Sequence, residues 1–180
     1  MSKDTALLVV DVQNAVVDWS NTEARGQEVL SKINQLLSRA RAALVPVIYV
    51  QHDGEPGHRL AVGSEGWRIH PAIAPFEGEL VVRKRASDAF YQTPLQSALD
   101  ERGIKRLVVV GCCTQYCVDT TCRSAVSHGY DVTLASDAHT TMGNSIIPSS
   151  QIVAHHNETL DQFGNDEHLV TIRRASEIEF

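Results

Sequence analysis

Six short apolar runs without polar alternation recur along this chain, and segments of helical pattern separate several of them. The runs span 6–12, 44–50, 79–82, 106–111, 130–136 and 168–172. A strand whose residues are apolar on both sides belongs in a sheet that is covered on both faces. The helical patterns span 27–43, 93–103, 114–129 and 149–164. This order predicts an α/β fold: a doubly wound, mostly parallel six-stranded sheet with helices on both faces.

Local signals mark several helix ends. Gly103, Gly129 and Gly164 predict helix stops, and Thr93 and Ser149 predict N-caps. The one long gap, 51–78, is rich in glycine and proline and predicts an irregular excursion over the sheet. With 180 residues, of which 43% are hydrophobic, the chain can bury one sizeable core. We therefore expect a single domain over residues 1–180.

Charge and the first apolar run limit the possible partners. The formal net charge is -6, and no cluster of lysine and arginine interleaves with aromatic residues. Nucleic acid is therefore an unexpected partner. The first apolar run lies between Asp4 and Asp11, which makes it too short for a signal sequence or a membrane span. These features predict a cytoplasmic protein that does not enter a membrane.

All four cysteines, Cys112, Cys113, Cys117 and Cys122, fall within eleven residues. They form no CxxC pair, and no histidine pair follows at zinc-finger spacing, so we expect no structural zinc site. Three of them share one turn, where disulfide geometry is poor, and a cytoplasmic chain keeps its thiols reduced. We interpret Cys112 and Cys122 as small buried hydrophobic residues.

Cys117 stands where the third predicted helix, 114–129, should begin. Helix N-termini present unpaired N–H groups and a partial positive charge, which stabilise a thiolate and an oxyanion formed beside it. Asp11 ends the first predicted strand, and Lys84 follows the third. Ligands bind at the carboxyl ends of strands in such folds, so these side chains could meet. The lysine would then lower the thiol pKa, and the carboxylate would accept the thiol proton.

Each of these three residues also has an ordinary interpretation. An aspartate after a strand is often a turn residue, a lysine in RKR is usually solvated, and a helical cysteine is usually in the core. Their joint placement favours the chemical interpretation. The residue pattern around them adds more specific information.

Four stretches carry a resemblance to a known family: LLVVDVQN, VVRKRASDAFYQTPLQSAL, RLVVVGCCTQYCVDTTCRSAVSHGYDV and the following SDA. On these motifs the chain resembles the isochorismatase-like cysteine hydrolases, which include nicotinamidases and N-carbamoylsarcosine amidohydrolases. The resemblance implies the Rossmann-like hydrolase fold of that family and a catalytic triad of Asp11, Lys84 and Cys117.

The resemblance also implies a cis peptide between Cys112 and Cys113 that turns the Cys113 N–H toward the same point as the Cys117 N–H. Those two donors would form an oxyanion hole. Thr114 is then the expected N-cap of the helix. The predicted function is hydrolysis of a C–N bond, amide or carbamoyl, of a small molecule through a thioester on Cys117.

Two alternatives stay open at the level of sequence. One is an isochorismatase-type vinyl-ether hydrolase that uses Asp11 as its general acid. The other is a non-catalytic binding or scaffold protein with the same fold. A dinucleotide-binding oxidoreductase is excluded because DVQNAV, with no GxGxxG, follows the first strand.

Five residues near strand ends or the nucleophile are predicted to line the substrate pocket: Gln13, Trp19, His52, Phe90 and Tyr116. Phe90 and Trp19 could equally pack in the core. The usual aspartate and phenylalanine after D-x-Q-N are Ala15 and Val16 here, which leaves the substrate open.

Nicotinamidases of the family hold a metal with a D-x-H pair and a further histidine. This chain has QHDGEPGH in the matching region. His52, His58 and His70 could supply a different set of metal ligands, although loop histidines are usually solvated. We predict no metal and no cofactor. The resemblance further implies a homodimer or a larger homo-oligomer.

Overall fold

A single six-stranded sheet organises the computed structural model, which describes residues 4–20 and 25–180, apart from the side chains of Trp19, Ser20 and Arg25. The strands are β1 Thr5–Val10, β2 Val47–His52, β3 Leu80–Lys84, β4 Arg106–Cys112, β5 Asp131–Thr140 and β6 Val170–Arg173. Their order is β3-β2-β1-β4-β5-β6, and every neighbouring pair is parallel. The predicted α/β class is confirmed, and the sheet is entirely parallel.

The apolar runs exist because the sheet has a core on each face. In β1, Leu8 and Val10 join one core, whereas Leu7 and Val9 join the other. Every residue from Ala6 to Val10 is therefore buried. A strand that faces two dry layers has no position left for a polar side chain.

In the described parts of the chain, five α-helices cover the two faces. They are α1 Asn14–Ser20, α2 Arg25–Ala42, α3 Leu95–Asp100, α4 Asp119–Ser127 and α5 Ser149–Leu160. The apolar side of α2 packs in one core, and buried residues of α3, α4 and α5 pack in the other. Among the described residues, no helix is both long enough and apolar enough to cross a membrane. Helix α1 was not predicted, because it directly follows β1 and has no separate apolar period.

Three of the predicted helix boundaries need correction. Ser149 is the first residue of α5 rather than its N-cap, a position that Pro148 holds without a side-chain hydrogen bond. The hydroxyl of Thr93 accepts a hydrogen bond from the Leu95 N–H at 3.2 Å, although Pro94 holds the N-cap position of α3. Helix α5 ends at Leu160, four residues before the predicted stop at Gly164.

The strand order places the sheet's switch point between β1 and β4. The chain builds β2 and β3 on one side of β1, then crosses to β4 and continues outward. In doubly wound folds, a crevice opens beyond the carboxyl ends of the strands at this point. The segment 53–79 connects the carboxyl end of β2 to the start of the parallel strand β3, and it is irregular, as predicted, apart from a short 3₁₀ turn at Pro71–Ile73.

Candidate active site

A cavity of about 180 Å³ opens at the carboxyl edge of the sheet. Asp11 follows β1 into its wall, His52 comes from the end of β2, and Cys112 comes from the end of β4. Cys117 reaches it from the turn that precedes α4. The sheet and the turn before α4 therefore bring an aspartate, a histidine and two cysteines together at one cavity.

Lys84, the last residue of β3, joins two of these groups. Its side chain is 0% exposed, and its Nζ lies 2.7 Å from Asp11 Oδ2. The same Nζ lies 3.2 Å from Cys117 Sγ and donates a hydrogen bond to the Ala86 carbonyl at 2.8 Å. The three residues that the sequence predicted to meet thus form one contact group.

The close approach of β1 and β4 depends on Gly111. This residue has φ +128°, and a Cβ at its position would lie 2.0 Å from the carbonyl oxygen of Val10. No other residue fits such a contact, because the backbone of the next strand cannot retreat. Asp11, directly after Val10, has φ 49°. Both strand ends are therefore shaped locally to bring Asp11 beside the turn that carries Cys117.

The charge state of Cys117 differs from the sequence prediction. Burial of the Cys117 thiol and the adjacent Asp11 carboxylate both raise its pKa, Lys84 opposes both effects, and the net result is a pKa of about 12. The sequence predicted that Lys84 lowers the pKa of this thiol, and it does, but burial and Asp11 outweigh that effect. Burial alone would lower the pKa of Lys84, but the attraction of Asp11 and Cys117 outweighs it and raises that pKa, so the ammonium persists.

Residues Cys113–Val118, the nucleophile turn, connect β4 to α4. The peptide between Cys112 and Cys113 is cis, and Thr114–Val118 form one π-helical turn. The Cys113 carbonyl accepts hydrogen bonds from the N–H groups of Tyr116 at 3.0 Å and Val118 at 3.2 Å. Neither bond uses the N–H of Cys117, which lies between those two donors in the chain.

The expected N-cap, Thr114, has another role. Cys113 holds the cap position, without a side-chain hydrogen bond. The Thr114 hydroxyl is instead 2.9 Å from Nδ1 of His139, a buried residue near the end of β5. The sequence prediction for Thr114 is therefore corrected: its side chain points to a neighbouring strand rather than to the backbone of its own helix.

Of the five predicted pocket residues, the cavity wall includes His52 and Tyr116. Tyr116 is 57% exposed, which places its ring at the mouth. Gln13 and Phe90 need correction. The Gln13 side chain is fully buried and uses its amide on the backbone of His52 and Trp67. It ties the end of β2 to the following segment.

Phe90 belongs to a core, where its ring stacks on His128 at 4.8 Å and on Tyr130 at 5.8 Å between centroids. The competing interpretation of core packing is therefore the right one for this residue. Trp19 is the remaining prediction, and its side chain lies outside the described residues.

The three histidines considered as metal ligands do not converge. The rings of His52 and His58 are 6.5 Å apart between centroids, and the Nδ1 of His70 accepts a hydrogen bond from the Ala72 N–H. Within 4–20 and 25–180, no three His, Cys, Asp or Glu side chains gather as a metal site would require. Burial, with the charge of Lys84, lowers the pKa of His52, so this ring is neutral at neutral pH.

Five cavity residues were not predicted to line it: Val16, His58, Arg59, Leu60 and Cys112. Val16 and Leu60 pack with Cys112 as an apolar cluster on one wall. Val16 stands at a position already noted as unusual, so a signal existed for it. Leu60 and Arg59 lie in an irregular segment, where no periodic pattern could mark them.

Comparisons with known proteins point to one family. The family model described as the isochorismatase domain matches residues 5–147. A streptothricin hydrolase of Streptomyces noursei is 43% identical over 136 residues, which are 76% of this chain and 54% of that protein. The chain therefore spans about half the length of that relative.

Two further curated relatives match over more of their own length. The uncharacterized isochorismatase family protein YddQ of Bacillus subtilis is 36% identical, over 82% of this chain and 86% of that protein. The ureidoacrylate amidohydrolase RutB of Methylobacterium radiotolerans is 29% identical, over 74% and 66%.

Solved structures share the fold. An isochorismatase from Pseudomonas putida superposes with a TM-score of 0.88 at 28% identity, over 98% of this chain and 90% of that one. A cysteine hydrolase from Pseudomonas syringae pv. phaseolicola superposes with a TM-score of 0.84 at 25% identity, over 97% and 90%.

Proposed function

The chain belongs to the isochorismatase family, and from that membership we propose that it is a cysteine hydrolase that cleaves an amide or carbamoyl C–N bond of a small molecule. One observation carries the proposal. A fully buried Lys84 ammonium contacts both the Asp11 carboxylate, at 2.7 Å, and the Cys117 sulfur, at 3.2 Å. A nucleophile, a proton acceptor and a fixed positive charge beside a cavity are the parts that acyl transfer through a thiol requires.

The first step is proton transfer coupled to attack. Because the Cys117 thiol is neutral in the resting state, its proton must leave as sulfur approaches the carbonyl carbon. Asp11 accepts that proton. Its carboxylate forms the ion pair with Lys84 and also interacts with the Cys117 side chain, so it lies within reach of this proton. The Lys84 ammonium stays next to the sulfur and stabilises the negative charge that develops there.

The second step is collapse of the tetrahedral intermediate. Its oxyanion accepts hydrogen bonds from the N–H groups of Cys113 and Cys117, an assignment supported by the position of both residues on the wall of the cavity. The C–N bond breaks, and Asp11 returns its proton to the departing nitrogen. Asp11 then takes a proton from water, which attacks the thioester, and finally returns it to the Cys117 sulfur.

The thiol favours C–N cleavage over vinyl-ether cleavage. Protonation of an enol ether needs a general acid and gains nothing from a nucleophile, whereas amide hydrolysis benefits from division into two acyl transfers. Two relatives are named a streptothricin hydrolase and a ureidoacrylate amidohydrolase, names that are consistent with this choice. A cavity of about 180 Å³ suits a small acyl group. We further propose a cytoplasmic homo-oligomer, which light scattering of the purified protein would test for assembly.

Product analysis tests the proposal. Purified protein is incubated with small primary amides, N-carbamoyl compounds and isochorismate, and both ammonia and pyruvate are measured. We expect ammonia from at least one amide or carbamoyl compound and none from the Cys117→Ala variant. Cys122→Ala is the matched control, because it removes a core thiol from α4 outside the cavity.

The alternatives have different signatures. Pyruvate without ammonia would identify the vinyl-ether hydrolase, with Asp11 as general acid. A non-catalytic scaffold would release neither product, and iodoacetamide would give no fast single adduct by intact mass. Persistent hydrolysis in Cys117→Ala would refute the covalent mechanism, provided that both variants melt near the temperature of the unmodified protein.

A further inference from the structure

A buried hydrogen-bonded chain lies behind the nucleophile turn. The Thr114 hydroxyl is 2.9 Å from His139 Nδ1, and His139 Nε2 is 2.9 Å from Asn157 Oδ1. The Asn157 amide then donates to the Ser136 carbonyl at 3.1 Å. Thr114 and His139 are 0% and 1% exposed. The chain thereby connects the first residue of the π-helical turn to β5 and α5, and none of its members lines the cavity.

The donor and the acceptor of each of these hydrogen bonds can be assigned by starting from the Ser136 carbonyl. The Ser136 carbonyl can only accept, so the Asn157 NH₂ group faces it and the Asn157 carbonyl oxygen faces His139. That oxygen also only accepts, which puts the imidazole proton on Nε2. An imidazole that carries its proton on Nε2 presents Nδ1 to the Thr114 hydroxyl as an acceptor. The tautomer of His139 thus fixes Thr114 as a donor.

The register of the sheet explains why the hydrogen bond between His139 and Thr114 affects Cys117. Past an irregularity in the pairing of β4 and β5, His139 lies opposite Gly111 and Thr140 lies opposite Cys112. Strand β5 therefore carries His139 alongside the start of the nucleophile turn. Thr114 lies between the two amides assigned to the oxyanion hole. A contact that orients Thr114 consequently orients the peptides that carry both donors.

We infer that His139 is a positioning residue for hydrolysis: through Thr114 it holds the nucleophile turn in the geometry that aligns the Cys117 thiol and the two amide donors. This inference rests on the proposed function. Displacement of reacting groups by 1 Å, even from a distant substitution, can cost roughly a hundred-fold in rate. Because the chain lies outside the cavity, its loss is expected to lower kcat and to leave KM nearly unchanged.

The first experiment compares Thr114→Val with Thr114→Ser. Valine keeps the shape of threonine but cannot donate to His139, whereas serine keeps the hydroxyl. We expect kcat to fall by roughly ten- to a hundred-fold in Thr114→Val, with KM within about two-fold, and to remain within about three-fold in Thr114→Ser. The rate of iodoacetamide modification at Cys117, followed by peptide mass, should fall in the same order.

Tyr130→Phe is the matched control. Tyr130 is 2% exposed and donates to Asp100 at 2.9 Å, just before β5 begins and away from the nucleophile turn. Tyr130→Phe therefore removes the hydrogen bond of another buried hydroxyl group. We expect it to lower the melting temperature while kcat and Cys117 modification stay unchanged.

A second pair addresses His139 directly. Glutamine can donate from its amide nitrogen and accept on its oxygen, as the neutral imidazole does, whereas leucine can do neither. We expect His139→Gln to keep several-fold more kcat than His139→Leu at equal KM. The assays are run well below the melting temperature of each variant. A lower kcat then reflects a change in the geometry of the site and not unfolding.

The outcomes separate the two proposals. Equal kcat in Thr114→Val and Tyr130→Phe, or equal loss in Thr114→Val and Thr114→Ser, would overturn the positioning role while the covalent mechanism stands. Hydrolysis that survives Cys117→Ala would remove the covalent mechanism, and the order of Cys117 modification rates would still decide whether His139 positions that thiol.

Discussion

Strand β1 is flanked by two aspartates, and each forms an ion pair of nearly the same length in very different surroundings. At the amino edge, Asp4 lies 2.8 Å from Arg106, and the side chains are 42% and 46% exposed. At the carboxyl edge, Asp11 lies 2.7 Å from Lys84, and the side chains are 4% and 0% exposed. The two ion-pair distances are nearly equal, so the two edges differ mainly in how far the charges are exposed to water.

Exposure to water determines how strongly each charge depends on its partner. At the amino edge, solvent screens both charges, and either can lose its partner at little cost. At the carboxyl edge, each charge depends on the other, because a lone buried charge is unfavourable by several kcal/mol. The same lack of screening lets Asp11 and Lys84 act on the Cys117 thiol. A buried ion pair at a strand end therefore influences the charge of a neighbouring side chain. The exposed ion pair at the other end has no such effect.

The largest expected difference between the edges is in turnover. Asp11→Asn removes the proposed proton acceptor and keeps the shape of the side chain. General acid–base groups contribute about 10² to 10⁴ in rate, so we expect kcat to fall by roughly a thousand-fold. Asp4→Asn should leave kcat within about two-fold, because no group at the amino edge contacts the cavity. Ammonia release from an amide or carbamoyl substrate measures both variants.

The comparison would break if Asp11→Asn retained more than about a tenth of the original kcat, a loss smaller than a general acid–base group accounts for. Asp11 would then be a structural counter-charge for Lys84, and another group would take the thiol proton. His52 would be the first to test, because its Nδ1 is 3.5 Å from Lys84 Nζ and its ring is neutral.

The next difference is in stability. Lys84→Met leaves the Asp11 carboxylate buried without its partner, and we expect a loss of about 3–5 kcal/mol in the free energy of unfolding. Arg106→Met at the other edge should cost about 0–1 kcal/mol. Urea denaturation followed by circular dichroism measures both variants.

The double variant Asp11→Asn with Lys84→Met sharpens this prediction. With both charges removed, neither is left unpaired, so we expect most of the lost stability to return while turnover stays absent. If the double variant were as unstable as the sum of the single variants, packing of the lysine stem would explain the loss better than charge.

The sheet could be predicted from sequence because its signal is local and repeated. Continuously apolar strands indicate burial on both faces, and the alternation with helices indicates parallel order. Helix α1 was missed because it starts four residues after β1 ends, without a change of composition. Ser149 was misplaced as a cap because the actual N-cap, Pro148, supplies no side-chain hydrogen bond.

The site was partly predictable for a related reason. Asp11, Lys84 and Cys117 lie at strand ends and a helix start, where topology alone brings residues together. Gln13 has the same local context, but its amide pairs with backbone groups of His52 and Trp67, which are 39 and 54 positions away. No local pattern reports such a contact. The raised pKa of the Cys117 thiol was not predicted because the helix position suggested a lower pKa, whereas the dominant cause, burial, depends on the whole fold.

A third difference concerns the thiol itself. Since its pKa is raised from 9.0 to about 12, Cys117 binds its proton more tightly in the folded state. The resulting stabilisation is fully present below pH 9 and is lost as the pH rises toward 12. Asp11→Asn removes the carboxylate that repels the thiolate, so we expect thiolate to form at lower pH in that variant. Asp4→Asn should not move the titration.

Ultraviolet absorbance of the thiolate, taken as the difference from the same protein with Cys117→Ala, measures this titration. Over neutral to mildly alkaline pH, we expect no Cys117 signal in the unmodified protein and a growing signal in Asp11→Asn. A variant with more thiolate and far less turnover would separate the two actions of Asp11, repulsion of the thiolate and acceptance of its proton. An unmoved titration would mean that burial alone sets the pKa.

The smallest difference is in the response to salt. The Asp4–Arg106 pair contributes about 0.2–1 kcal/mol at low ionic strength, and Asp4→Asn should remove that amount. The Debye length falls to about 3 Å at 1 M salt, so the effect of Asp4→Asn should vanish there. The cost of Lys84→Met should persist, because ions cannot enter the space between fully buried groups. Urea denaturation at the two salt concentrations measures both responses, and an equal salt dependence at the two edges would show that solvent reaches Lys84.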